Sequence, residues 1–289
     1  MRAYTHNTDT HVHVFDTLGE MLDTANMRPH AAQDAGIVDR VRDRAKGDAW
    51  TYGTLQNADT FTRTMREGWH DATARIDQIA ASISASVATP LDVRRKMRRG
   101  PSGDELDIHA VLAGNLDRAW SARRRTVARA PAPIRILCNV VYNSGSDTDD
   151  FFWRGACALA LVRALRKKGY RTAISGVGLL VRPWADNRRG DYLARFDALR
   201  YGEAIDTARL AAVLCTSATL RHTMFRTILT CPRQVCSGFG RAPSDTQLSE
   251  AVVEYGAFPM LAEERLVIPD VSNVRDANAW LAKVSAQFA

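Results

Sequence analysis

His11 and His13 stand two apart in the alternating run His11-Val-His-Val-Phe15, so their side chains share one face of a strand. With His6 close by they could ligate a metal, and a polar strand edge near the amino terminus explains the same pattern. Cys231 and Cys236 flank Pro232-Arg-Gln-Val235, a loop context with Arg233 as the nearby cation. A nucleophilic thiolate needs a base and an electropositive, partly exposed setting, and a structural role is the default here. Cys138, Cys157 and Cys215 lie inside apolar runs, and no C-x-x-C pair occurs, which predicts reduced core cysteines in a cytoplasmic protein. Ser144-Gly-Ser146 is not the Gly-x-Ser-x-Gly elbow of a serine hydrolase. Gly176, Gly178, Gly238 and Gly240 lack the spacing and the Lys-Ser/Thr ending of a phosphate loop. His70 and His109 have no partner visible in sequence, and His222 reads as a helix-surface residue. No constellation supports a hydrolase, so the expectation is a non-enzymatic protein.

Charge is placed unevenly. The formal net charge is +7, and residues 94 to 129 hold ten Lys or Arg against four acids, an excess of six. Arg94, Arg95, Lys96, Arg98 and Arg99, together with Arg123, Arg124 and Arg125, could grip the phosphates of DNA or RNA by displacing counterions. A solvated helix and linker surface in an Arg-rich protein is the alternative. Trp120 and Trp184, each near Arg, could stack on bases, whereas Trp69, Trp153 and Trp280 fit apolar stripes. Arg154 begins a helix one turn from Asp149 and Asp150, where it can pair with those acids or face an anionic ligand.

The elements that must position these residues are legible as periodicities. Ile134 to Val141 is an apolar run, broken by the small polar loop Asn143 to Asp150, then followed by a helix over Phe151 to Lys168 and a strand over Tyr170 to Val177. That order predicts a parallel β-α-β unit with the loop at a strand's carboxyl end, where open α/β sheets place ligands. The Phe151 helix is apolar nearly all round and must be covered on more than one side. Tyr192 to Leu199 alternates as a further strand, Asp206 and Ser217 cap helices, Leu266 to Ile268 is a late strand, and Asn273 to Phe288 is a closing amphipathic helix. Before them, Thr17 caps a helix, and further helices carry Phe61, Met65 and Trp69, then Ile76, Ile79 and Ile83. Ala128 to Pro133 is a plausible linker, which sets domains at 1–132, mixed and mostly helical, and 133–289, α/β. Hydrophobic residues at 46% and charged residues at 25% exclude a disordered chain. No apolar run reaches the ~18 residues of a membrane span, and Thr5, His6, Asn7 and Asp9 make the start too polar for a secretory signal.

The order strand, Ser-Gly-Ser loop, helix, strand, hairpin strand, helices, late strand and terminal helix resembles a von Willebrand factor A-type domain. That resemblance implies a Rossmann-like, mainly parallel sheet with helices on both faces. It also implies a Mg²⁺ held by loop oxygens, here Ser144, Ser146, Asp147, Asp149 and Asp150, although Tyr142 stands where the family's leading Asp is expected. Trp50-Thr-Tyr-Gly53, Glu67-Gly-Trp69, Gly114-Asn-Leu-Asp-Arg-Ala-Trp120 and Phe152-Trp-Arg-Gly-Ala156 are similar to an uncharacterised family of phage and bacterial proteins, implying a phage or mobile-element origin. The resulting expectation is an adaptor that binds a protein partner through the loops at the sheet's carboxyl edge. Nucleic-acid binding through the basic segment is the alternative.

Overall fold

The computed structural model describes residues 1–6, 10–31, 35–36, 38–39, 58–84, 95–103, 105–125, 132–142, 146–181, 191–232, 243–258 and 263–287. The chain begins with strands β1 (Arg2–His6) and β2 (Thr10–Phe15) and helices α1 (Leu18–Ala25), α2 (Ala58–Glu67) and α3 (His70–Ser84). A small unit follows: strands β3 (Arg95–Gly100) and β4 (Glu105–Leu106), helix α4 (Ile108–Leu112) and strand β5 (Trp120–Arg125). The rest is β6 (Ile134–Asn139), α5 (Thr148–Lys167), β7 (Thr172–Leu180), β8 (Tyr192–Leu199) and α6 (Thr207–Leu214), then a π-helical turn Leu220–Met224 running into α7 (Phe225–Ile228), α8 (Asp245–Glu254), β9 (Glu264–Val267) and α9 (Val274–Gln287).

Six strands form one mostly parallel sheet in the order β1-β2-β8-β7-β6-β9. The pairs β2–β8, β6–β7 and β6–β9 are parallel, while β1–β2 and β7–β8 are antiparallel. β6 is interior and every one of its residues is buried, as a run of apolar residues flanked by parallel neighbours requires. Alternation sends Ile134, Ile136 and Cys138 to one face, under α5, and Leu137 to the other, under α8. The first face carries the larger core, which takes residues from α1, α2, α3, α5, α6 and α9; the second packs Val12, Val14, Val177 and Leu193 against Leu248 and Val252 of α8. α5 is covered on several sides, with Phe151, Phe152, Cys157, Leu161 and Leu165 all buried.

Two expectations change. The amino-terminal strands join the large sheet, β2 pairing with β8 and β1 with β2, and α2 and α3 contribute Phe61, Met65 and Ile76 to the same core as α5. The core therefore draws on residues from both sides of position 132. β2 is consequently no polar edge, since it lies between β1 and β8 with all six residues buried. The basic segment is not a helix and linker but the antiparallel strands β3 and β5, with β4 paired on β5 in a second sheet of order β3-β5-β4. Among the described residues, no helix is long and apolar enough to cross a membrane.

Candidate functional site

The loop between β6 and α5 is shaped by helix capping. Asp147 stands at the amino-terminal cap of α5, and its backbone N–H donates to Asp150 Oδ2 at 2.9 Å. Thr148 Oγ1 donates to Asp147 Oδ1 at 3.0 Å, and Asp149 pairs with Arg75 of α3 at 3.2 Å. The three acids expected to hold an ion are thus occupied in starting α5 and clipping it to α3. Ser144 lies outside the described residues; Ser146 lines a cavity of about 180 Å³ at the carboxyl end of β6.

Arg154 is buried beside that cavity, 3% exposed. Its guanidinium carbon lies 4.1 Å from the centre of the Tyr142 ring, its Nη1 donates to the Asn139 carbonyl at 3.1 Å, and its Nη2 pairs with Asp270, which follows β9. Arg154 therefore pairs with neither Asp149 nor Asp150: one turn of α5 aims it back at the end of β6 rather than along the helix surface. Its Nε and the Tyr142 hydroxyl are buried with no partner among the described residues, as is Asp245 Oδ1 at the start of α8. Burial raises the Asp245 pKa against the opposing pull of Arg154, and burial likewise raises that of Tyr142. Asp245 Oδ2 accepts from the Asp270 backbone N–H at 3.3 Å. Here a guanidinium supplies positive charge and pairs with the carboxylate of Asp270. Among the described residues, no group of three or more His, Cys, Asp or Glu is arranged for a metal.

The other candidates separate. His11 and His13 share a buried strand, but His11 approaches Thr5 Oγ1 at 3.4 Å and His13 Nδ1 approaches the Tyr192 hydroxyl at 3.2 Å. His6 instead packs its ring on Tyr255. His222 is buried against Phe61 rather than on a helix surface, because its helix is covered by α1 and α2. Burial pushes the Cys138 and Cys157 thiols up to about 12, which leaves them protonated and unreactive; Cys231 is buried and Cys236 lies outside the described residues. Trp69 is buried edge-on to Phe152, Trp120 is half-buried, and Trp184 is outside the described residues.

Of the basic residues, Arg94 lies outside the described residues. The backbone register of β3 and β5 sets Arg95 opposite Arg125, Lys96 opposite Arg124, Met97 opposite Arg123 and Arg98 opposite Ala122. The acids gather at the other end of the pair: Glu105 of β4 is opposite Ser121, and Asp107 pairs with Arg99 at 3.2 Å. One group is invisible to motif and periodicity alike. Arg135 on β6 donates from Nη1 to Asp197 at 2.8 Å and from Nε to both oxygens of Glu263 at 3.1 Å. Ser175, Tyr201 and Arg195 complete this buried network on the smaller face of the sheet. A charged residue in the middle of an apolar strand run is the one signal the sequence offers for it, since such a charge must be paired.

A domain of unknown function, DUF7192, matches residues 4–288. No curated protein and no solved structure matches the chain.

Proposed function

We propose that this chain, which belongs to the DUF7192 family over almost its whole length, binds nucleic acid through the strand pair β3–β5. The observation that carries this reading is the register. Two pairs of basic residues, Arg95 with Arg125 and Lys96 with Arg124, are direct Cα partners across the strands. Like charges in that position disfavour pairing by up to about 1 kcal/mol each, and a polyanion laid along the ribbon turns the same repulsion into attraction. Among the described residues, no acid is the Cα partner of residues 95–98 or 123–125.

The test is fluorescence anisotropy with labelled duplex DNA, single-stranded DNA and RNA, titrated between about 50 and 200 mM salt. The parent should bind at low salt and weaken steeply as salt rises. Each phosphate that a cation neutralises contributes ~0.7 to 0.9 to the slope of log affinity against log salt, so replacing Arg123, Arg124 and Arg125 with Ala should lower that slope by about 2 to 3. No binding at low salt, or an unchanged slope in the variant, would overturn the assignment.

The protein-adaptor reading rests on a different observation, the cavity at the carboxyl end of β6. The run of strand, loop, helix, strand and hairpin strand from Ile134 to Leu199, followed by helices, β9 and α9, supports relating this part of the chain to A-type domains. The donor set around Arg154 favours a version of such a rim that works without a metal.

A further inference from the structure

We propose that the cavity between the carboxyl ends of β6 and β9 is a metal-independent site for a carboxylate group, with Arg154 as its fixed cation. The site is separate from the β3–β5 ribbon and does not rest on nucleic-acid binding.

The ion pair at this cavity is asymmetric. Arg154 is 3% exposed and held by rigid parts: the ring of Tyr142 lies against the guanidinium, and the Asn139 carbonyl accepts from Nη1. Its partner Asp270 has a side chain that is 77% exposed and comes from the segment between β9 and α9. An exposed carboxylate is already largely solvated, so it leaves at small cost, whereas the buried guanidinium cannot follow it into water.

The guanidinium also presents an incomplete set of bonds. Nη1 is used below, and the remaining edge is the fork formed by Nε and Nη2. Asp270 takes Nη2, and Nε keeps a buried N–H without a partner among the described residues. A carboxylate not tied to the backbone of residue 270 can approach this edge side-on and accept from both nitrogens, the stronger bidentate arrangement. Tyr142, whose hydroxyl is itself without a partner among the described residues, lines the same cavity together with Ser146 and Ser272.

Charge balance favours exchange over simple addition. Asp150 is committed to the first turn of α5, and burial favours the neutral form of Asp245. A ligand carboxylate that replaces Asp270 leaves the charge around Arg154 unchanged. The cavity of about 180 Å³ equals several water volumes of ≈ 30 Å³, room for a carboxylate and its adjoining carbons. A small organic acid and an acidic side chain of a partner protein share this chemistry, and the experiment distinguishes them.

The full-length protein is titrated with sodium glutarate, and in parallel with a short Glu-containing peptide and its Gln counterpart, against sodium chloride of equal ionic strength. Two-dimensional NMR and thermal unfolding are read with Mg²⁺ and with EDTA. Saturable shifts that are insensitive to EDTA are expected. Asp270→Asn, which removes the internal competitor and alters an exposed side chain, should bind about fivefold tighter. Arg154→Met should abolish the response; should that variant not fold, Asp270→Asn alone decides. A response to glutarate identifies a small acid as sufficient, and a response only to the Glu peptide identifies a protein side chain. No saturable response in either parent or Asp270→Asn, a response that needs Mg²⁺, or weaker binding by Asp270→Asn would overturn the proposal.

Discussion

His13 is buried on β2 with its Nδ1 3.2 Å from the Tyr192 hydroxyl, and that hydroxyl lies 2.7 Å from Thr227 Oγ1. Thr227 in turn donates to the Met224 carbonyl at 2.9 Å. Because Thr227 gives its one proton to Met224, Tyr192 donates to Thr227 and accepts from His13 Nδ1–H, which satisfies these contacts with a neutral ring. Burial, reinforced by the neighbouring His11, pushes the His13 pKa down to about 4 from the ordinary 6.5. The folded state therefore binds this proton less readily than the unfolded chain. Its contribution to stability is complete above the unfolded value and is lost as pH falls from about 6.5 towards 4, by at most ~3 kcal/mol. His13→Gln should flatten that part of the profile relative to the parent, as read by urea unfolding at pH 7 and at pH 4.5. Parallel losses in the two proteins would rule His13 out as the source. At this scale the sequence is a partial guide. The pairing of His11 and His13 on one face is legible from their spacing, but their burial is not, because it depends on β8, a strand about 180 residues away. The partners of Arg135 are hidden for the same reason, lying 62 and 128 residues along the chain.

Helix α5 approaches α6 so closely that a Cβ on Gly155 would lie 2.5 Å from the Leu214 carbonyl oxygen and 2.6 Å from its carbon. Both are backbone atoms of a packed helix and cannot move independently. A Cβ on Gly178 of β7 would also meet atoms at short range, but those are the Met224 Cε and Sδ, the end of a flexible side chain. Intrinsic helix propensity predicts the reverse order, since Gly to Ala inside a helix gains about 1 kcal/mol on its own. Overpacking should dominate: Gly155→Ala is expected to cost about 3 kcal/mol and Gly178→Ala about 1 kcal/mol, measured by chemical denaturation. Equal or inverted losses would show that the α5–α6 contact relaxes more easily than its geometry implies. Among the elements, α5, β6, β8 and α6 are readable in the sequence, because each presents an unbroken apolar pattern at one period. β3 and β5 are not, because Arg-rich strands lack apolar alternation and their pairing joins segments about 25 residues apart. The cavity is half legible: the loop after β6 marks its place, but Asp270, Val271 and Ser272 reach it from a later segment that only the folded sheet brings there.

The sheet order makes a claim about the molecule that neither half of the chain reveals. Ala128 to Pro133 has the composition of a linker, yet β2 supplies the strand beside β8, and α2 and α3 cover the same core as α5 and α6. Two exposed ion pairs, Arg75 with Asp149 and Arg163 with Asp77, also join α3 to α5. Such pairs add little individually, so the weight falls on the apolar residues Phe61, Met65, Trp69, Ile76 and Ile79 that those helices bury. At about 1.5 to 3 kcal/mol for each large side chain, removing all five costs about 7 to 15 kcal/mol before β2 is counted, as much as the 5 to 15 kcal/mol by which ordinary domains are stable. A fragment of residues 133–289 should accordingly lack a cooperative melting transition and bind a hydrophobic dye, while the full chain unfolds in one step. Adding residues 1–84 in trans should restore at least part of that transition, since those residues carry the missing strand and helices. A fragment that melts as sharply as the parent would mean that the β2–β8 pairing and the α3–α5 contact are accessory, and that residue 132 is a true domain boundary.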